Sequence, residues 1–309
     1  MQLRFNIDDG DVKLETDKSK WDISPFEKDT YVPVENLTTN IKQGDLFRLG
    51  EHRLLCGDAT NEEDIQKILE DNKVNIIFTS PPYNTGGGGG YAFDKLDPER
   101  YDTTYYNRDG IYNSFTDELS DEDYSNLLIS SAQLGLKYGE MVLYNMGILK
   151  GNKRGIIDLL TALKNNLCEI LVWDKGNNAM PYGLPSMKGM VKHDAEFIFC
   201  FNHKGSRNFT HPQWSIGTKS NIIRCKNSSR NKYSKYHKAT FSLDFALEIV
   251  GEFVEDSVMD FFGGTGTTMI ASEYYHKKCY MIELDPLYCQ IIINRWEEYT
   301  GKKAEKISG

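Results

Sequence analysis

No two of the six cysteines stand in a CxxC spacing, and most lie in apolar runs such as EFIFCF. They read as buried free thiols, not as metal ligands or disulfides. The six histidines are equally scattered, with no HxxxH or HExxH pair, so no metal site is expected. Long apolar runs are missing too, and nothing approaches the ~20 residues of a membrane span. The opening MQLRFNIDDGDVKLE turns acidic where a secretory signal would be apolar. The expectation is a cytoplasmic protein with no membrane partner.

What is present is a chain of ordinary composition, 39% hydrophobic and 26% charged. Its 309 residues suit one large α/β domain with insertions, or two smaller ones. The net charge of −9 conceals a polarity. Between Ser186 and Lys238, eleven lysines and arginines face only Asp194 and Glu196, a local charge of +9 on an otherwise acidic body. Such a segment suits a polyanion-binding surface, or a solvated loop face.

Residues 1 to about 40 are polar and poorly periodic, and read as an arm outside the main core. GDLFRLGEHRLLCGDAT reads as a strand, a Gly-Glu turn and a second strand. NEEDIQKILEDN has helical spacing behind a cap, and VNIIFTS is a buried strand. Residues 85–120 hold a glycine run and then a Tyr- and Asp-rich stretch without a period, an insertion of functional or disordered type. SDEDYSNLLISSAQLGLKYG predicts a helix, GEMVLYNMG a strand, GIIDLLTALKNN a helix, and CEILVWDKG and AEFIFCFNHKG strands. Beyond the basic segment come helix SLDFALEIVGEF, strand SVMD, helix TMIASEYYHKK, strand CYMIELD and helix PLYCQIIINRWEEYTGK. Apolar strands alternating with helices predict a mostly parallel sheet covered on both faces.

Two strand ends carry distinctive turns. In VMDFFGGTGTT a strand ends at Asp260, and Gly263, Gly264 and Gly266 precede a helix. Glycines there let the backbone approach a ligand at the carboxyl edge of the sheet. Seventeen residues beyond Gly266, Glu283 ends the next strand, where an acid grips ribose hydroxyls. The dinucleotide pattern G-x-G-x-x-G fails at Met269, so a nucleoside ligand without pyrophosphate fits better than NAD. The other turn is IIFTSPPYNTGGGGG, which taken alone is a strand followed by a rigid turn and a glycine run.

Together, Ser80-Pro81-Pro82-Tyr83 and Asp260-Phe261-Phe262-Gly263-Gly264-Thr265-Gly266-Thr267-Thr268 resemble the tetrad and cofactor loop of the DNA amino-methyltransferases. The order of tetrad, basic segment and cofactor loop is similar to that of the circularly permuted β-class. The resemblance spans roughly residues 43–300. It implies a Rossmann-like methyltransferase fold, S-adenosylmethionine as cofactor and double-stranded DNA as partner. A homodimer and a cognate restriction endonuclease are left open. Residues 1–42 become an N-terminal extension, 43–185 the catalytic part with a mobile loop at 85–120, 186–236 the target-recognition region, and 237–309 the cofactor-binding part. Besides the loop from Asp260 and Phe262 to Thr268, cofactor contacts are implied for Asp58 in CGDAT and for Thr79. They are also implied for Lys238, Thr240 and Phe241 in YHKATF, and for Glu283, Leu284 and Asp285. Two departures, Phe261 and Ala239 at positions where proline is frequent, remove no side chain that the chemistry requires.

An exocyclic ring amine is a poor nucleophile, because its lone pair is delocalised into the ring. Acceptors for its two N–H groups, here Ser80 Oγ and the Pro81 carbonyl, hold it pyramidal and stabilise the developing charge. Pro81 and Pro82 preset φ and donate no N–H. Tyr83 offers a face for stacking on a flipped base. Transfer is then direct, consistent with the lack of a Pro-Cys nucleophile motif. A tetrad that opens on serine is linked in the family more often to N4 of cytosine, with N6 of adenine as the alternative. RNA guanine and protein glutamine methylation are more remote, since the cofactor loop precedes the tetrad in those relatives. Lys219, Arg224, Lys226, Arg230, Lys232 and Lys235 are the expected DNA contacts. Tyr91, Tyr105, Tyr106 and Tyr112 lie in an insertion that either closes over DNA or serves as a spacer.

Overall fold

Strands without polar alternation must be buried on both faces, and the sheet of this chain is covered accordingly. The computed structural model describes residues 5–8, 11–14, 25, 29–31, 37–84, 118–149, 151–176, 194–207, 220–225 and 242–308. The insertion at 85–117, the basic residues Lys219, Lys226, Arg230, Lys232 and Lys235, and the trio Lys238, Thr240 and Phe241 lie outside the described residues.

A separate antiparallel pair, β1 (Phe5–Asp8) and β2 (Asp11–Leu14), precedes the body. In chain order there follow β3 (Leu46–Leu49), β4 (His52–Cys56), α1 (Glu62–Leu69), β5 (Val74–Thr79), α2 (Asp121–Tyr138) and β6 (Gly139–Met146). Next come α3 (Lys153–Ala162), β7 (Leu167–Asp174), β8 (Ala195–Asn202) and β9 (Ile222–Arg224). The last stretch holds α4 (Leu243–Phe253), β10 (Ser257–Asp260), α5 (Thr267–Tyr274), β11 (Lys278–Glu283), α6 (Pro286–Thr300) and β12 (Glu305–Ser308).

The main sheet has the order β12-β3-β4-β11-β10-β5-β6-β8-β7-β9. From β4 to β6 its five central strands run parallel. Antiparallel pairs flank them, β12 with β3 and β3 with β4 on one side, and β6 with β8 and β8 with β7 on the other. The expected α/β architecture is therefore present, mixed toward its margins. Strand β12 is exposed throughout and carries no apolar run to announce it in the sequence.

Alternating strand residues feed two cores. Leu54, Ile76, Phe78, Met141, Leu143 and Val258 face α4, α5 and α6, while Leu55, Ile77, Val142 and Met259 face α1, α2 and α3. Helix starts are fixed by Asn61, Ser120, Ser242 and Asp285, each accepting a backbone N–H of the first turn. Five of the six cysteines are buried and all six are free. No described helix is long and apolar enough to cross a membrane.

The arm expected to lie outside the core is partly docked on it. Tyr31 packs with Leu287, Tyr288 and Ile291 of α6, and Leu37 joins them. Asn294 and Glu298 bond Tyr31 and Thr30. A polar, aperiodic segment gives no periodic signal for such single anchoring residues.

Helices α2 and α3 meet where Gly155 faces Tyr124, and a Cβ on Gly155 would lie 2.6 Å from the Tyr124 ring. Gly155→Val is expected to lower stability in urea by about 1–3 kcal/mol through overpacking. Unchanged unfolding midpoints would show that the helices part freely.

Candidate active site

The two turns singled out in the sequence meet at neighbouring strand ends. β5 and β10 pair in parallel, with Ile76 beside Val258 and Ile77 beside Met259. At their carboxyl ends Thr79 Oγ1 donates to Asp260 Oδ1 at 2.7 Å. Asp260 also accepts from Thr268 Oγ1 at 2.6 Å and from the Phe262 N–H at 3.1 Å. Burial pushes the Asp260 carboxyl up, and these bonds pull it partly back, to about 6.

The glycine loop beyond Asp260 is held from several sides. Gly263 N–H donates to the Ile282 carbonyl at 2.9 Å, and Gly266 adopts φ +81 against Ile292, a conformation that suits glycine. Arg295, almost fully buried, donates to the Thr265 carbonyl at 2.9 Å and to Thr267 Oγ1 at 3.1 Å. Its other nitrogens form a bidentate pair with Asp29 at 2.8 and 2.6 Å. The docked arm thus braces the loop through α6.

Glu283 ends β11 beside this loop. Its Oε2 accepts the Gly264 N–H at 2.7 Å and its Oε1 the Asp285 N–H at 2.8 Å. Burial raises the carboxyl to about 7 despite those two bonds. Across the edge, Gly57 N–H donates to the Glu283 carbonyl at 3.0 Å. Asp58 is exposed, and its Oδ1 accepts from Thr60 N–H and Oγ1, as in a local turn. Asp285 caps α6 through Leu287 N–H, and the Leu284 carbonyl accepts from Gln43.

On the β5 side, Ser80 and Tyr83 lie against β6 and β8. Tyr124 Oη donates to the Pro82 carbonyl at 2.8 Å, which fixes the turn from below. Tyr83 Oη donates to Glu196 Oε2 at 2.8 Å. Asn145 Nδ2 donates to the same carboxylate oxygen at 3.0 Å, to Tyr83 Oη at 3.2 Å and to Ser80 Oγ at 3.5 Å. Lys175, buried at the end of β7, pairs with Glu196 Oε1 at the start of β8. Its ammonium lies 5.0 Å from the Trp173 ring, which stacks on Phe245.

The donors and acceptors named here are mutually consistent in one arrangement. A carboxylate only accepts, and an amide or ammonium nitrogen only donates. Turning Asn145 over would set Oδ1 3.0 Å from Glu196 Oε2, acceptor against acceptor. Tyr83 therefore spends its one proton on Glu196, and Ser80 Oγ donates to Tyr83 Oη at 3.5 Å. Ser80 Oγ is left as an acceptor toward anything placed over the tetrad.

Immediately after the tetrad, Asn84 adopts φ +52, which asparagine tolerates. It accepts from Leu119 N–H at 2.6 Å and donates to the Leu119 carbonyl at 3.1 Å.

The structure thus brings Ser80, Pro81, Pro82, Tyr83, Thr79, Asp260, the glycine loop, Glu283 and Asp58 to one edge of the sheet. Side chains of Thr79, Thr268, Asp260 and Asp285 are engaged within the protein. Of the basic residues, Arg224 in β9 is described, exposed and 3.7 Å from Asp174. Sequence reasoning missed Asn145, Lys175, Arg295 and Asp29, and counted Glu196 only as a charge opposing the basic segment. The available signal was polarity out of place, an acid opening the apolar run AEFIFCF and an asparagine closing VLYN.

Arg295→Ala, which removes the bidentate partner of the Asp29 carboxylate, is expected to cost about 3–5 kcal/mol in urea unfolding. A loss below about 1 kcal/mol contradicts the brace. Asp260 and Glu283 have folded values above the ordinary 3.8 and 4.5, so the folded state holds protons that the unfolded state releases. Stability of the ligand-free protein is therefore expected to rise as pH falls from 8 to about 5. A melting temperature that is flat or falling over that interval contradicts these environments.

Comparison with known proteins finds relatives of this chain. Type II methyltransferase M.MthZI of Methanothermobacter thermautotrophicus is 23% identical over 273 residues, which cover 77% of this chain and 75% of that protein. The crystal structure of M1.HpyAVI in complex with SAM is 20% identical, with a TM-score of 0.51, over 78% of this chain and 97% of that one. TTHA0409 of Thermus thermophilus gives 19% identity and a TM-score of 0.50 over 82% and 97%. Both solved structures share the fold. The N6/N4 methyltransferase model, described as DNA methylase, matches residues 74–294, from the start of β5 into α6. The chain belongs to the N6/N4 DNA methylase family.

Proposed function

We propose that this protein transfers a methyl group from S-adenosylmethionine to the exocyclic amine of a base flipped from site-specific duplex DNA, with N4 of cytosine as the target. The observation that carries this reading is Ser80 Oγ, a neutral hydroxyl with acceptor capacity at the end of β5, beside the strand that begins the glycine loop. A neutral acceptor suits an amine whose N–H groups must be held while its lone pair is drawn out of the ring. N4-cytosine is chosen because the tetrad opens on Ser80, a position linked in the family more often to that amine.

The residues at the β10–β11–β4 edge fit the cofactor. Glu283 gives each of its oxygens to one N–H and keeps partial solvent exposure, so lone pairs remain for two ribose hydroxyls. Gly263, Gly264 and Gly266 are the proposed backbone of the cofactor loop, with the Gly264 N–H on Glu283. Asp58, Phe262, Leu284 and Asp285 complete the proposed cofactor contacts, with Lys238, Thr240 and Phe241 from the segment before α4. Bound S-adenosylmethionine supplies a methyl group made electrophilic by its sulfonium centre. The chain's own work is to hold the amine against Ser80 and Pro81, stack the base on Tyr83 and keep the two half-sites in register through Thr79 and Asp260. Arg224 and the basic residues of 219–235 are the proposed phosphate and base contacts.

Incubation with unmethylated plasmid DNA and S-adenosylmethionine, followed by mass spectrometry of the nucleosides, is expected to show N4-methylcytosine. N6-methyladenine would correct the base, and the absence of both would overturn the function. Ser80→Ala is expected to abolish methyl transfer in a folded protein that still binds S-adenosylmethionine by calorimetry, and retained turnover would sink the site. Because hydroxyl donors favour the ionised carboxylate, S-adenosylmethionine affinity should fall as pH drops below about 7, by up to about tenfold per unit. Glu283→Gln should weaken binding at pH 8, and an affinity independent of both changes would remove Glu283 from the cofactor site.

A further inference from the structure

Methylating an exocyclic amine leaves one proton too many on nitrogen, and the active site must give it a way out. The hydrogen bonds around the tetrad form a directed chain, from Ser80 Oγ to Tyr83 Oη and from Tyr83 Oη to Glu196 Oε2. Asn145 supports that direction by turning its two N–H groups toward all three, nearest to Glu196 at 3.0 Å. We propose that Glu196 is the terminal proton acceptor of the reaction, reached from the base amine through Ser80 and Tyr83, an inference that rests on the methyl-transfer reading above.

The step balances. As the amine nitrogen bonds the methyl carbon, the electron pair of the breaking S–C bond stays on sulfur, which becomes a neutral thioether. Nitrogen is left cationic with two protons. One passes to Ser80 Oγ while the Ser80 proton moves to Tyr83 Oη and the Tyr83 proton to Glu196 Oε2. The sulfonium charge and the carboxylate charge both vanish, and a neutral methylated amine and a neutral carboxylic acid remain. Net charge is conserved, and the Lys175 ammonium then faces a neutral carboxylic acid, so the proton leaves Glu196 for solvent before the next turnover. The 3.5 Å step from Ser80 to Tyr83 is long for a hydroxyl pair, and such contacts tighten when substrate fills a site. Lys175, on the other carboxylate oxygen, holds Glu196 against Tyr83 and offers it no acceptor. Glu196 and Lys175 are positioning residues in this scheme, because they reach the amine through other groups.

Tyr83→Phe keeps the ring and deletes one proton of the chain, and Glu196→Gln replaces the acceptor. With plasmid DNA and S-adenosylmethionine prebound, each is expected to lower the single-turnover rate about 100-fold. Calorimetric affinities for S-adenosylmethionine and DNA should stay within about twofold. Because both changes cut one chain, the double variant should be no slower than the slower single. Added formate should speed Glu196→Ala and leave Tyr83→Phe unaffected. A Tyr83→Phe enzyme at full rate, losses that multiply in the double variant, or losses confined to the affinities would each overturn the relay. Should Glu196→Gln not fold, Tyr83→Phe decides the matter alone. A wild-type protein that deposits no N-methylated base overturns the methyl-transfer reading and the relay with it, whereas an active wild type with unimpaired variants overturns the relay only.

Discussion

A single buried carboxylate joins the two halves of the site. Asp260 ends one strand, Thr79 ends its neighbour, and the 2.7 Å bond between them fixes how far the tetrad stands from the glycine loop. The same carboxylate gathers Thr268 and the Phe262 N–H, so the loop cannot turn without disturbing the strand end. Everything else at the edge is arranged around that junction. Arg295 and Asp29 hold the loop from behind, Tyr124 holds Pro82, and Asn145 holds Ser80, Tyr83 and Glu196. On the methyl-transfer reading, two reactants meet groups whose spacing is set before either arrives.

That arrangement is not the most stable one available. Asp260 and Glu283 are carboxyls kept where burial opposes their charge. Asn145 Oδ1 is buried with no hydrogen-bond partner among the described residues, a defect worth about 1–3 kcal/mol. Its amide nitrogen can serve three acceptors only in the orientation that leaves the oxygen alone. Stability is given up at these buried polar positions, as expected of a site shaped by something other than packing.

Most of the fold was legible because its signals are periodic or local. The strands VNIIFT, GEMVLYNM and KCYMIE are each built on a short apolar run, and the helices begin behind Asn61, Ser120, Ser242 and Asp285. The tetrad and the glycine loop were legible because proline and glycine restrict or free the backbone in ways that few other contexts need. Antiparallel entry of β8 between β6 and β7 was not, since a strand's direction leaves no mark on its composition. Lys175 and Glu196 were missed for another reason. Twenty-one residues apart, each looks like an ordinary strand-end charge, and only the pairing of β7 with β8 sets them side by side. Asp29 and Arg295 are separated by 266 positions and show the same limit more strongly.

Asn84 and Leu119 hold each other by two reciprocal hydrogen bonds, one on either side of the 85–117 segment. The polypeptide leaves the active site and returns to it at one clasp. Closing a longer excursion between fixed ends costs only about 0.6 kcal/mol for each doubling of length. The number of residues between those ends is thereby uncoupled from the geometry of the tetrad. Evolution can lengthen, shorten or replace that excursion without moving Ser80 or Tyr83.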